Sequence, residues 1–267
     1  RWRLTDSGWI QVMPLNSGPG KLRSLLLCAV LCLPQSLIAG GTWELPPPPP
    51  PDEYGNILID RTTKTSGIKP ATFSHWLHRQ KFACRVCHFE IEFNMKTNTT
   101  EITEAANRAG KYCGTSGCHD GKASFGHQQP ECGKCHNGDK SYKKERFAEL
   151  ARFPAAPFGN RIDWGKALNK GLSVPVKYLS IKPDPDVSSF KEVLVLESDW
   201  EGTPPAIFPH RPHTWLLDCN NCHPDIFNIK KKTTKHFSMI ANLQGDFCGV
   251  CHLSVAFPMA DCKRCHP

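Results

Sequence analysis

Five copies of the pattern Cys-x-x-Cys-His occur between residues 84 and 266. The spacing places both thiols on one helical turn, with the imidazole of the following histidine beside them. Hydrophobic residues make up 39% of the chain, below the roughly 45–50% of an ordinary globular domain. The fold must therefore be organised around whatever these clusters hold. The copies are Cys84–His88, Cys132–His136, Cys219–His223, Cys248–His252 and Cys262–His266.

A sixth cluster, Cys113–His119, departs from the pattern because four residues separate its cysteines. It aligns with Cys248–His252 when the chain is compared with itself, so we expect it to hold the same group as the other five. Gly114 and Gly117 tolerate backbone conformations that other residues avoid, which lets the longer loop bulge without strain.

Cys-x-x-Cys-His is the attachment motif of c-type haem. The two thiols add to the porphyrin vinyl groups as thioethers, and the adjacent histidine becomes the proximal iron ligand. Structural zinc is the first alternative, but zinc sites combine pairs of cysteines and need no histidine after each pair. Disulfides are the second, but a bridge between such close thiols is strained and easily reduced. The motifs therefore favour haem.

The counts of cysteine and histidine predict six haems. Of 14 cysteines, Cys28 and Cys32 lie in a predicted leader, and the other twelve supply two thioethers to each haem. These are Cys84, Cys87, Cys113, Cys118, Cys132, Cys135, Cys219, Cys222, Cys248, Cys251, Cys262 and Cys265. The predicted proximal ligands are His88, His119, His136, His223, His252 and His266.

Six histidines remain, one for the second axial position of each iron, which predicts bis-histidine ligation throughout. They are His75, His78, His127, His210, His213 and His236. His127 and His236 do not align with each other, so one of them is the candidate for a non-ligand. Methionine is then the alternative axial donor and would raise the potential of that haem. The candidates are Met95, Met239 and Met259.

The chain contains an internal repeat with a constant offset, the one that separates His75 from His210. His75 and His78 recur as His210 and His213, and the clusters that follow them recur in the same order. Self-similarity of this kind indicates two homologous units. We place them at residues 68–138 and 206–267, joined by a linker with local structure at 139–205.

Paired histidines three residues apart, followed by three haem motifs, resemble the trihaem cytochrome c7 domain of the class III (cytochrome c3) group. The segments Phe247–Phe257 and Asp261–His266 carry the resemblance, as does Gly117–Lys122 with Phe125. It implies a small fold low in regular secondary structure, with short helices and loops wrapped around haems, in two tandem trihaem units. It also implies electron transfer in the periplasm or outside the cell of anaerobic bacteria.

The resemblance implies a ligand order as well. The first histidine of each pair, His75 or His210, would ligate the haem of the first motif, and His78 or His213 that of the second. His236 fits the place of the third distal ligand in its unit. His127 does not, which leaves the second ligand of the Cys132–His136 haem open.

Residues 1–40 are predicted to be a secretory signal peptide with an upstream extension. Lys21 and Arg23 form its basic region, and Leu25–Leu33 is an apolar run too short for a membrane span. Residues 41–67 are predicted to be a proline-rich spacer. We expect a secreted protein, periplasmic or extracellular, without a transmembrane segment in its mature form. Within the linker, Lys144–Phe153 is a helix candidate and Lys191–Leu196 a strand candidate.

An iron with two histidine ligands has no free position for a substrate, so we predict an electron conduit with no catalytic residues. The alternative is a multihaem reductase with one open haem site, for which Cys113–His119 is the suspect. Expected partners are other redox proteins or extracellular electron acceptors, and self-assembly is left open. The leader holds four basic residues and one acidic residue, so its removal leaves about +5 of the net charge of +8. A secretory leader argues against nucleic-acid binding.

Overall fold

A computed structural model describes residues 47–181, 190–230 and 234–267. The predicted signal peptide, with Cys28 and Cys32, lies outside the described residues. From Pro48 onward the chain forms one compact unit. Within the described ranges, no helix has the length and apolar character to cross a membrane.

Regular secondary structure is sparse, as the resemblance implies. The described α-helices have four to six residues each: α1 His75–His78, α2 Glu104–Arg108, α3 Trp164–Asn169, α4 His210–Thr214, α5 Met239–Leu243 and α6 Gly249–His252. A π-helical turn covers Val86–Glu90. The 3₁₀ helices are Tyr112–Gly114, Glu131–Lys134, Lys144–Arg152, Cys219–Asn221 and Cys262–Arg264.

Two antiparallel hairpins precede the paired histidines. Strand β1 (Asn56–Ile59) pairs with β2 (Ala71–Ser74), and β3 (Val193–Leu196) pairs with β4 (Ala206–Pro209). Strands β2 and β4 run directly into α1 and α4 and differ by the offset of the repeat. Their partners β1 and β3 lie upstream of residues 68 and 206, so the structural repeat begins earlier than the self-similarity of the sequence shows.

Helices α2 and α5 occupy equivalent positions and begin with equivalent caps. Thr103 and Ser238 each accept a hydrogen bond at 3.1 Å from the amide of the residue three positions later. Such a cap satisfies a backbone donor that a short helix would otherwise leave without a partner. The cap fixes where each helix starts, and the second haem motif of each repeat follows it.

The segment between the repeats supplies three of the four buried residues in the hydrophobic cluster around Trp76. Leu150, Phe153 and Ala167 pack around Trp76 of α1, with Trp164 at the edge of the cluster. The helix predicted at Lys144–Phe153 is present as a 3₁₀ helix that ends at Arg152, two residues before Pro154. The sequence indicates this segment only as a linker with local structure. In the structure it packs against the helix that carries the first histidine pair.

Candidate functional site

The first histidine of each pair is fixed by the residue that precedes the first strand of its hairpin. The Nδ1 atom of His75 donates to the carbonyl of Gly55 at 2.8 Å, and that of His210 donates to the carbonyl of Glu192 at 2.9 Å. In both cases the backbone amide of the histidine donates to the same oxygen, at 3.0 Å. The residue before β1 or β3 thus holds both the backbone and the ring.

The second histidine of each pair is held by the carbonyl group one helical turn before it. His78 donates from Nδ1 to the carbonyl of Ser74 at 2.8 Å, and His213 donates to that of Pro209 at 2.9 Å. A phenylalanine of the preceding strand packs on the ring, with ring centroids 4.4 Å apart in both repeats. These are Phe73 and Phe208.

The six motif histidines are bonded in the same manner. Each donates from Nδ1 to a main-chain carbonyl, at distances of 2.6 to 3.2 Å: His88 to Phe93, His119 to Phe125, His136 to Lys69, His223 to Phe227, His252 to Phe257 and His266 to Pro204. The acceptors correspond between repeats. Sequence reasoning missed all of them, because a carbonyl acceptor leaves no side-chain signature.

These hydrogen bonds determine which ring nitrogen can bind a metal. A carbonyl only accepts, so Nδ1 carries the hydrogen and the lone pair of Nε2 is free. Burial lowers the pKa of His75 to about 3, and the pKa values of His78 and His252 to about 4. The rings are therefore neutral at physiological pH. A neutral imidazole whose second nitrogen donates to a carbonyl is the usual arrangement of a metal ligand.

Three pairs of histidines face one another across similar gaps. Ring centroids are 6.5 Å apart for His75 and His88, with planes only 5° from parallel. They are 6.1 Å apart for His78 and His119, and 6.2 Å for His213 and His252. Two imidazoles that bind one metal through Nε2, at roughly 2.0–2.1 Å, have centroids about 6.3 Å apart. The centroid distances of the three pairs are close to that value.

The longer loop of Cys113–His119 does not displace its histidine. The amide of His119 donates to the carbonyl of Cys113 at 3.0 Å, and that of His252 donates to the carbonyl of Cys248 at 3.0 Å. The extra residues are therefore accommodated between two fixed ends. Gly117 has φ +84°, in agreement with the predicted bulge.

Gly114 has a different role from the one that the sequence suggested. A Cβ atom there would lie 1.8 Å from the carbonyl oxygen of Asn107, and one at Gly249 would lie 1.9 Å from that of Asn242. Both glycines follow the first cysteine of a second motif. They allow α2 and α5 to pack directly on these motifs.

His127 and His236 differ from the other ten histidines. Within the described residues, neither ring has an Nδ1 bond to a main-chain carbonyl. Nε2 of His127 is buried without a hydrogen-bond partner. Burial is the largest cause of its lowered pKa. Arg108 of α2 lowers the pKa further, whereas Glu104 of α2 opposes the shift. His236 lies three residues before α5, so both histidines are near equivalent helices although they come from different parts of the repeat.

All twelve motif cysteines are free thiols in the described part of the chain. Burial raises the pKa of Cys87, Cys113, Cys248 and Cys251 to about 12. These surroundings disfavour a charged thiolate, the form that zinc requires, and suit a neutral thioether. Across the described residues, no three His, Cys, Asp or Glu side chains converge on a common point as a metal site.

The thiols of all six motifs form one series of neighbours. After burial, the pKa of Cys113 is raised by Cys135, and that of Cys87 by Cys118. The pKa of Cys251 is raised by Cys84 and Cys222, and that of Cys248 by Cys265. The couplings therefore run from the third motif through the second to the first, and from there to the fifth motif, which is also coupled to the fourth and the sixth.

A family model described as cytochrome c7 and related cytochromes c matches residues 71–137 and 206–267. Among solved structures, the C-terminal hexahaem fragment of a dodecahaem cytochrome c is 25% identical to this chain. The match covers 84% of this chain and 99% of that one, with a TM-score of 0.26. The whole dodecahaem cytochrome c is 22% identical, over 80% of this chain and 74% of that one, also with a TM-score of 0.26. A comparison with curated proteins found no match.

Proposed function

The two repeats belong to the family of cytochrome c7 and related cytochromes c, which makes the chain a multihaem c-type cytochrome that transfers electrons, and from this premise we propose that it is a hexahaem electron conduit. One haem is attached at each of the six motifs, including Cys113–His119. The conduit acts in the periplasm or outside the cell, where multihaem c-type cytochromes typically work. Its partners are other redox proteins or extracellular electron acceptors.

The observation that carries this proposal is the common state of ten histidines. Each has its Nδ1 bonded to the main chain, which leaves Nε2 as the nitrogen that could bind a metal, and three pairs of rings have centroids 6.1 to 6.5 Å apart. The facing pairs support three axial assignments: His75 with His88, His78 with His119, and His213 with His252. By the repeat, His210 would serve the same iron as His223.

The two remaining axial assignments are supported by fewer contacts. We assign His236 to the iron of His266 and His127 to the iron of His136. The buried Nε2 of His127 has no hydrogen-bond partner among the described residues, and a metal would satisfy it. Both histidines lie beside equivalent helices, which favours equivalent roles.

Each bound haem would accept and release one electron. The protein holds both imidazoles of a pair through main-chain bonds, so a change of charge on the metal requires little movement of its ligands. Two protein ligands also exclude small molecules from the metal. The series of neighbouring thiols supports a path of closely spaced haems through both repeats, in which electrons hop from site to site.

A reductase with one open haem is the second candidate. Sequence reasoning pointed to Cys113–His119 as the open site, but His78 faces His119 as His213 faces His252, which favours a closed site there. The absence of an Nδ1 anchor on His127 within the described residues points instead to the haem of Cys132–His136. If His127 does not bind, that iron is open.

The test is an intact mass and a pyridine haemochrome assay on protein secreted by a host that matures c-type cytochromes. Six haems per chain are expected, and five would contradict the loading of Cys113–His119. The reduced protein should then be titrated with carbon monoxide, which binds haem with a free axial position far more readily than bis-histidine haem. No spectral change is expected. His213→Ala serves as the positive control because it should bind one equivalent, and carbon monoxide binding by the unmodified protein would favour the reductase.

A further inference from the structure

The first haem motif of the first repeat contains a buried arginine. Arg85 lies between Cys84 and Cys87 and is 3% exposed. Its guanidinium donates to the hydroxyl of Tyr178 and to the carbonyls of Thr214 and Leu217. All three acceptors are neutral, so they orient the positive charge without cancelling it.

A second arginine lies on the other side of the same motif. Arg79 packs its guanidinium 4.3 Å from the ring centroid of Trp164 and donates to the carbonyl of Val255 at 3.2 Å. It lines a cleft together with Cys84. Among the residues that the structure describes, neither Arg79 nor Arg85 forms an ion pair with a carboxylate.

The equivalent motif of the second repeat has the opposite electrostatic character. At the offset of the repeat, Arg79, Ala83 and Arg85 of the first repeat correspond to Thr214, Asp218 and Asn220 of the second, in that order. Each of these three exchanges lowers the local charge by one unit. The exchange of Trp76 for Arg211 goes the other way, but Arg211 is exposed and water and salt screen its charge. The acidic residue after the motif is shared, since Glu90 corresponds to Asp225, and it does not contribute to the difference.

The first motif also lies where the two repeats meet. The side-chain amide of Asn221 donates to the carbonyl of His88 at 2.8 Å, and the amide of Arg85 donates to the carbonyl of Leu216 at 2.9 Å. The hydroxyl of Tyr54 donates to the carbonyl of Ala256 at 2.7 Å. We call the contacts of Arg85 and His88 with residues 214–221 the repeat junction.

A fixed positive charge near a haem opposes the extra positive charge of the oxidised iron. The effect is strong where the charge is removed from water, because screening there is weak. Burial and local charge are among the means by which a protein sets a haem potential. Arg79 and Arg85 therefore favour the reduced state at the first motif, whereas Asp218 favours the oxidised state at its counterpart.

We propose that the haem at Cys84–Cys87 has a higher reduction potential than its repeat equivalent at Cys219–Cys222, so that electrons shared between these two haems reside mainly on the first-motif haem. This inference rests on the proposed function, because it requires haem at both motifs. A difference in potential would give electron transfer between the two repeats a preferred direction, which two identical repeats would not have. As electrons are added to the protein, the first-motif haem would be reduced before the equivalent haem of the second repeat.

The experiment is a stepwise oxidation of the fully loaded protein followed by NMR of the haem methyl groups. The two haems are assigned through contacts with Val86 and Asn221, which are equivalent buried residues of the two motifs. The Cys84–Cys87 haem is expected to be oxidised later. Equal potentials, or the opposite order, would overturn the inference, while an intact mass of the same sample tests the six-haem proposal separately.

Substitutions near the first and the fourth motif test whether the charges there cause the difference in reduction potential. Arg79→Gln should lower the potential of the first-motif haem, and Arg79→Lys, which keeps the charge, should lower it less. Asn220 is exposed, so Asn220→Arg should fold and should raise the potential of the fourth-motif haem even if the Arg79 variants lose haem. Lys64→Gln removes a charge from a side chain that is 70% exposed and should leave both potentials unchanged. A gap between the potentials that none of these substitutions alters would refute a role for the charges.

Discussion

In the first repeat, Trp76 stands between the two histidines of α1 and is 1% exposed. At the equivalent position of the second repeat stands Arg211, which is exposed. The first repeat packs its histidine helix on the core built by residues 144–167. Between 206 and 267, by contrast, no hydrophobic side chain of a described residue is fully buried.

The histidines are nevertheless held alike in both repeats. The carbonyl acceptors of the first, second and third positions correspond, and the ring centroids are 6.1 Å apart for His78 and His119 and 6.2 Å apart for His213 and His252. The positions of these histidines therefore depend on short main-chain hydrogen bonds rather than on a side-chain core. The hydrophobic core and the local charges can therefore differ between the repeats, and these differences give two equivalent sites different surroundings.

Removal of the core at one histidine helix should give the largest difference between the repeats. Trp76→Ala deletes a fully buried side chain and should cost about 3–5 kcal/mol of stability. Arg211→Ala alters an exposed position and should stay within about 0.5 kcal/mol. Urea unfolding of the loaded protein measures both. Comparable losses would show that the core does not distinguish the repeats.

The glycines of the second motifs should be equally sensitive in both repeats. Gly114→Ala and Gly249→Ala each force a methyl group against a main-chain carbonyl, which should cost towards the upper end of about 1–3 kcal/mol. Gly133→Ala is the matched control, because Gly133 also follows the first cysteine of a motif but has no atom near its Cβ position. Thermal unfolding with a haem count checks the three variants. A tolerated Gly114→Ala would mean that the longer loop relaxes.

The repeat junction should respond to the loss of one buried amide. The side chain of Asn221 donates to the carbonyl of His88 and accepts from the amide of Asp218 at 2.7 Å. Asn221→Ala leaves both groups without that partner and should cost about 1–2 kcal/mol. Asn220→Ala, at the exposed neighbouring position, should be nearly neutral. Equal effects in denaturant titrations would argue against the junction as a stabilising contact.

The ion pair between the repeats should contribute least. Lys96 and Asp246 approach to 3.1 Å, but their side chains are 63% and 52% exposed. A double-mutant cycle of Lys96→Gln and Asp246→Asn should give a coupling below about 1 kcal/mol. The coupling should fall further at high ionic strength. A larger, salt-resistant value would show that the pair is less hydrated than its exposure indicates.

Several features of the fold follow from the sequence because they repeat or because their chemistry is specific. The constant offset of the repeat predicts that β2 and β4, and α1 and α4, are equivalent, and the structure places them so. The spacing of His78 and His213 from their motifs, read with the family resemblance, predicts which histidines face His119 and His252. The helix at Lys144 and the strand near Val193 were also indicated by local pattern.

Other parts of the site could not be predicted, since they depend on contacts between distant segments. Strands β1 and β3 lack sequence self-similarity, yet their preceding carbonyls anchor His75 and His210. The linker gives no sign that Leu150 and Phe153 will pack on Trp76. His127 has no equivalent in the second repeat, and only the structure places it beside α2.

The sequence by itself determined the motifs, their number and the repeat, because thiol and imidazole spacing along a few residues is a local property. Only the tertiary structure decided which carbonyls hold the histidines and which motif lies at the repeat junction. It also decided that Arg79 and Arg85 have no carboxylate partner among the described residues. Hydrogen bonds between distant segments and the burial of a charge depend on how the chain returns on itself, and neighbouring residues do not encode that path.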